Sequence, residues 1–253
     1  LAPRVVRRSH QIHLRTFGRS ESDLADALEG IEQAHPGVTL GYRAHFPEIE
    51  LKVLARADDE LAAEQLATEV AEELRRRLGR TIFGERDDTF PGVVGRELRE
   101  RGLSLALAES CTGGLVGAKL TSVPGSSEFL LLDAVVYANS AKEKLLGVRQ
   151  ETLRGFGAVS AETAAQMADG ARRVAAADLA ISITGIAGPG GGTDEKPVGT
   201  VYFGVARAGA RTHTFLRNLP GDRERIRELA AYVAMESIRR AAGGERLPGA
   251  AKV

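Results

Sequence analysis

A chain of 253 residues is too long for a disulfide-stapled miniprotein and fits either one large α/β domain or two ordinary ones. Its 34 basic and 34 acidic residues cancel, and no apolar run approaches the roughly 18 residues that a bilayer-crossing helix needs, so a soluble globular protein is expected. The single cysteine, Cys111, excludes an internal disulfide framework and a cysteine cage for zinc, and points to a reducing compartment, the cytoplasm. Leu1 is not methionine and no signal-peptide pattern follows it, so a fragment or processed product is expected.

In chain order, Val5 to Phe17 reads as a strand, and Ser20 caps a helical pattern through Leu24, Leu28 and Ile31. Val38 to Ala44 and Ile49 to Ala55 are short strands around the turn Phe46-Pro47-Glu48. Asp58 starts a long helix carrying Leu61, Leu66, Val70, Leu74 and Leu78, and Thr81 to Phe83 closes the set. The order β-α-β-β-α-β predicts a small split sandwich over residues 1–87, with two helices on one face of a sheet.

Charged residues 85–88 and Pro91-Gly92 mark a boundary before a helix from about Val93 to Arg101. Leu103 to Ala108, Ala134 to Tyr137 and Leu179 to Ile183 are near-continuous apolar runs separated by helical patterns, the mark of strands buried on both faces of a layered α/β sheet. Val198 to Ala206 and Arg211 to Leu216 alternate instead and read as a hairpin at one end of it, before a last helix from about Asp222 to Ala241. The fold class is therefore α/β, with a layered domain over 91–253 and a smaller sandwich before it. Residues 1–90 carry a net charge of −4 and residues 91–253 of +4, so neither is a basic nucleic-acid footprint. The sandwich resembles KH modules in outline but has no G-x-x-G loop to clamp a sugar-phosphate backbone, so no nucleic-acid partner is expected.

Ala108-Glu109-Ser110-Cys111-Thr112-Gly113-Gly114 is a strand end turning into a helix. Such a turn exposes backbone amides and a hydroxyl, so Ser110 is either a nucleophile or a helix cap. A serine nucleophile needs a base. Four of the five histidines (His10, His13, His35, His45) lie in the small sandwich, and His213 reads as a core or edge histidine. The remaining route is a desolvated lysine, whose neutral amine accepts the hydroxyl proton. This chain has only six lysines among its 34 basic residues, so an isolated lysine is informative. Lys142 is the candidate, against the alternative of a solvated helix-surface lysine. Tyr137 either holds the pair through its hydroxyl or is a core aromatic. The loop from Thr184-Gly185 to Thr193 follows another buried strand and is expected to face the same crevice, with Thr184 donating to a ligand, or to be a flexible connector. Cys111 reads as a small buried thiol, and no metal or other cofactor is expected.

At these residues the chain resembles the competence/damage-inducible protein family, specifically its C-terminal amidase domain. The likeness runs through Ala108 to Gly114, Val123 to Ser127, Tyr137 to Lys142, Leu145 to Val148, Ala158 to Ser160, Thr184 to Pro189, Lys196 to Val201 and Gly221 to Arg223, with the earlier segment similar to the family's KH-like middle domain. What the resemblance implies is an amidohydrolase that converts nicotinamide mononucleotide to nicotinic acid mononucleotide and ammonia in pyridine-nucleotide recycling, acting as a homodimer. It implies Ser110 as nucleophile, Tyr137 and Lys142 as its activating partners, and Thr184 and Gly185 at the substrate. The turn amides near Thr112 and Gly113 would hold the oxyanion, with Gly114 also at the substrate and Arg223 for the substrate phosphate. A non-catalytic nucleotide-binding or partner-binding module is the alternative.

Overall fold

The computed structural model describes residues 8–249, which fall into two compact units divided between Phe90 and Pro91. The first contains β1 (Arg8–Phe17), α1 (Glu21–Ala27), α2 (Ile31–Ala34), β2 (Val38–His45), β3 (Glu48–Ala57), α3 (Glu60–Leu78) and β4 (Ile82–Glu85). Its sheet has the order β2-β3-β1-β4 with every pair antiparallel, so the element order read from the sequence folds as a split βαβ sandwich. Leu14, Leu51, Val53 and Ala55 on the sheet meet Leu24, Ile31, Val70 and Leu74 on the helices. Residues 5–7 of the expected first strand lie outside the described residues.

Two helix boundaries differ from expectation. The pattern beginning at Ser20 is two helices, because Gly30 takes a left-handed φ of 86° and breaks the run after Leu28. Ser20 does cap α1, accepting from the Asp23 amide in a reciprocal capping box. Asp59, not Asp58, caps α3 by accepting the Ala62 N–H at 2.7 Å.

Helix α4 (Phe90–Glu100) begins one residue before the division, and the second unit continues with β5 (Leu105–Glu109), α5 (Leu115–Thr121), β6 (Leu130–Val135), α6 (Asn139–Leu146), α7 (Gln150–Phe156), α8 (Ala161–Ala175), β7 (Leu179–Gly185), β8 (Thr200–Arg207), β9 (His213–Asn218) and α9 (Arg223–Ala242). Helix α4 starts earlier than Val93 because Pro91 is tolerated in a first turn, where its missing N–H would be unpaired anyway. The sheet order is β6-β5-β7-β8-β9, with β6, β5 and β7 parallel and β8 and β9 antiparallel. Helix α8 covers one face and α5 and α9 the other. Small residues let α8 close on its face: Ala106, Ala108, Ala180 and Ala206 pack against Met167, Ala168 and Ala171.

The strand expected at Ala134 to Tyr137 is instead Leu130–Val135, and it is an edge strand rather than one buried on both faces. Because β8 runs back along β7 and β9 along β8, β8 begins and β9 ends at the edge where β5 and β7 stop, with Gly185 opposite Val201 and Thr200 opposite Asn218. Helix α9 therefore starts at that same edge, the crevice where open α/β sheets place ligands.

Candidate active site

Successive side chains of β5 point to opposite faces. Ala106 and Ala108 belong to the α8 face, so Glu109 turns toward α5 and Ser110 back toward the α8 side. The Ser110 amide donates to the Ile183 carbonyl at 3.0 Å, extending the β5–β7 ladder one residue beyond the strand, and the Gly113 amide closes the turn onto the Ser110 carbonyl at 3.1 Å. The N-cap of α5 is Gly114, with no side-chain cap. Ser110 is thus not the helix cap. That work is done by Glu109, whose fully buried carboxylate accepts the amides of Gly114 at 3.0 Å and Gly117 at 2.8 Å.

On the α8 side Ser110 meets Lys142. A helical side chain leans toward the helix N-terminus, which brings the Lys142 ammonium nitrogen back over the connection from β6 to α6. Nζ lies 2.8 Å from the Val136 carbonyl, 3.1 Å from the Tyr137 carbonyl and 3.1 Å from Ser110 Oγ. The residue is 1 % exposed, so the solvated-surface alternative does not hold. Burial pushes its pKa below the usual lysine value, and among the described residues no carboxylate comes within 4.0 Å to restore the charge. A neutral amine has two N–H donors and one lone pair. In the neutral form the Val136 and Tyr137 carbonyls, which only accept, would take the two N–H groups and leave the lone pair to the Ser110 hydroxyl.

The other expected site residues divide. Tyr137 touches Lys142 through its backbone carbonyl, and its ring is 63 % exposed, so it is neither a core aromatic nor bonded to the pair by its hydroxyl. Thr184 is fully covered and its hydroxyl donates to the Ala158 carbonyl at 2.7 Å; it is not free for a ligand as expected. Gly185 is set by packing, since a Cβ there would fall 2.7 Å from Val201 and 2.8 Å from the Thr200 carbonyl. The Gly113 amide, expected as an oxyanion donor, is committed to the Ser110 carbonyl, and the amide of Gly114, expected at the substrate, to Glu109. Thr112 does lie at the turn, with its carbonyl accepting from Arg227 and its buried hydroxyl unpartnered. Arg223, expected at a substrate phosphate, donates to the Gly188 carbonyl at 2.8 Å. His213 bonds the Pro248 carbonyl and stacks on Phe215, away from Ser110. Cys111 is buried, and burial pushes its thiol up to about 12, which keeps it protonated.

Three groups were missed by sequence reasoning. Glu109 was signalled by its place, a charge closing an apolar run. Asp133 stands on β6 beside Leu107, on the α5 face; its carboxyl is pushed up to about 7 by burial and by the Glu109 charge, and one oxygen is buried without a partner. Gly117 makes room for it, because a Cβ there would lie 1.9 Å from Asp133 Oδ2. Arg227, one turn beyond Arg223, grips the Thr112 carbonyl with Nη2 at 2.7 Å. Among the described residues no three His, Cys, Asp or Glu side chains gather as a metal site would require, and no helix is long and apolar enough to cross a membrane.

Residues 87–242 match the CinA C-terminal domain and residues 11–84 the damage-inducible protein CinA KH domain. The chain is similar to a CinA-like protein of Geobacter metallireducens, 44% identical over 235 residues that cover 92% of this chain and 56% of that one. One from Geobacter sulfurreducens is 45% identical over 228 residues, covering 90% and 55%. The chain thus spans about half the length of these relatives. Among solved structures, a competence-damaged protein (CinA) superfamily protein from Klebsiella pneumoniae superposes with a TM-score of 0.59 at 36% identity, covering 61% of this chain and 96% of that one. A competence/damage-inducible protein from Agrobacterium tumefaciens gives 0.57 at 39% identity, covering 62% and 97%.

Proposed function

The chain belongs to the CinA family, and from that premise and the chemistry of its nucleophile turn we propose that it is a serine amidohydrolase that acts on the carboxamide of nicotinamide mononucleotide, releasing ammonia and nicotinic acid mononucleotide. The observation that supports this most strongly is the contact of Lys142 Nζ with Ser110 Oγ at 3.1 Å, with two carbonyls occupying the other amine positions.

In this mechanism the Lys142 lone pair takes the Ser110 proton as Oγ attacks the carboxamide carbon. The tetrahedral intermediate collapses, the C–N bond breaks, and Lys142 returns its proton to the departing ammonia. Water then attacks the acyl-enzyme, giving its proton to Lys142, and the Ser110 hydroxyl is restored. Oxyanion stabilisation falls to the amides of Cys111 and Thr112. A developing oxyanion would take these amides as its hydrogen-bond donors.

The test is ammonia release from nicotinamide mononucleotide with a chelator present. The wild-type chain is expected to release it, and Ser110→Ala to bind substrate without release. No release by the wild type, or retained release by Ser110→Ala, would overturn the reading; binding without any hydrolysis would mark a nucleotide-binding module instead.

A further inference from the structure

We propose that Arg227, on the second turn of α9, is the group that recognises a phosphate on the ligand bound beside Ser110; this rests on the amidase reading and assigns the cation that selects a phosphorylated amide over an unphosphorylated one. Arg227 sits where the topology brings α9 to the ends of β5 and β7. Its Nε and Nη2 converge on a single acceptor, the Thr112 carbonyl, at 3.3 and 2.7 Å. That neutral oxygen uses two of the five guanidinium N–H groups and none of its charge. Among the described residues no carboxylate lies within 4.0 Å of Arg227. Two nearby carboxylates are engaged elsewhere: Glu228, its neighbour on α9, pairs with Lys119 at 2.6 Å, and Glu109 is held by the Gly114 and Gly117 amides.

A partly buried guanidinium with a neutral partner alone is an incomplete arrangement, because arginine cannot shed its proton to lower the cost of burial. Three further features fit an oxyanion there. Arg223 lies one turn away on the same helix side and ties down the other crevice loop at Gly188. Thr112, whose carbonyl Arg227 holds, also has a fully buried hydroxyl with no partner. Gly113 puts no side chain against the guanidinium, where a Cβ would stand in ordinary contact, 3.7 Å from Arg227 Nη2. Phosphate, with several acceptor oxygens, matches the planar donor fork better than a single carbonyl does.

Two readouts test this. Titration with inorganic phosphate and with ribose 5-phosphate is expected to show binding to the wild-type chain that weakens at least about 10-fold in Arg227→Met, whereas Arg154→Met on α7 leaves it unchanged. In ammonia-release assays, the ratio of KM for nicotinamide riboside to KM for nicotinamide mononucleotide is expected to fall by a similar factor in Arg227→Met. A merely structural role would weaken turnover of both amides alike. If Arg227→Met does not fold, Arg227→Lys serves, with a smaller loss of about 3-fold expected in phosphate affinity. Equal phosphate affinity in wild type and variant, or no phosphate binding by the wild type at millimolar concentration, would overturn the proposal. Absence of ammonia release by the wild type would sink the amidase reading while the phosphate titration still decides for or against Arg227.

Discussion

Strand β5 ends on two adjacent buried ionisable environments of opposite kind. Among the described residues, Lys142 on the α8 side stands against Ser110 with no carboxylate in ion-pair reach, and on the α5 side Glu109 and Asp133 stand together with no ion-pairing cation. A single lysine–glutamate pair would have stabilised both charges and left neither group reactive. Alternation along the strand prevents it, sending residue 109 to one face and residue 110 to the other. The result is a lysine whose proton burial loosens, and a carboxylate that spends its charge on the amides forming the nucleophile turn.

Replacing the base breaks the comparison most severely. Lys142→Arg keeps the charge but offers no neutral base, and kcat is expected to fall by about 1000-fold or more, with Lys142→Met as the check that a poor fit of arginine is not responsible. In the wild type, kcat/KM should climb with pH as Lys142 loses its proton, because its depressed pKa makes the free amine available below the usual lysine range. That ionisation should vanish from the residual activity of either variant.

On the carboxylate side the effects are smaller. Glu109→Gln leaves one of the two turn amides without a good acceptor, which should cost about 1 to 3 kcal/mol of stability and lower kcat by about 10-fold to 100-fold through misplacement of Ser110, measured by urea unfolding and by steady-state kinetics. Asp133 should report itself through pH. Its folded pKa of about 7 lies above the ordinary value of 3.8, so the native state holds a proton that the unfolded chain has lost, and stability falls as pH rises from near 4 to 7. Asp133→Asn should flatten that decline in urea melts at pH 5 and pH 8. Cys111→Ala should change kcat by less than about 2-fold, since a buried thiol pushed up to about 12 supplies no thiolate.

Much of this was legible from residue types. Removing the histidines from consideration left lysine as the base for Ser110, and the structure brings those two side chains into contact. Grammar also gave the two units and the parallel strands. What failed depended on partners far away in sequence. Nothing near Thr184 announces that Ala158, 26 residues earlier, takes its hydroxyl. The strand β6 was misplaced because Asp133 interrupts the run Leu130 to Val135, so the apolar stretch after it looked like the strand. Arg223 drew notice for opening the last helix, yet Arg227 reaches the nucleophile turn, a distinction that requires knowing which edge α9 enters from. Tyr137 was named for its ring, whereas its carbonyl makes the contact; side-chain identity says nothing about a backbone acceptor.

The central claim is that Lys142 is held as a free amine, and with six lysines in the chain it can be measured directly. Isotope-labelled lysine side chains followed by NMR across pH should give one resonance, absent in Lys142→Arg, that titrates well below the ordinary value of about 10.4 shown by solvated lysines. If that resonance titrates together with the others, the amine is an ordinary ammonium at working pH and cannot take the proton from Ser110.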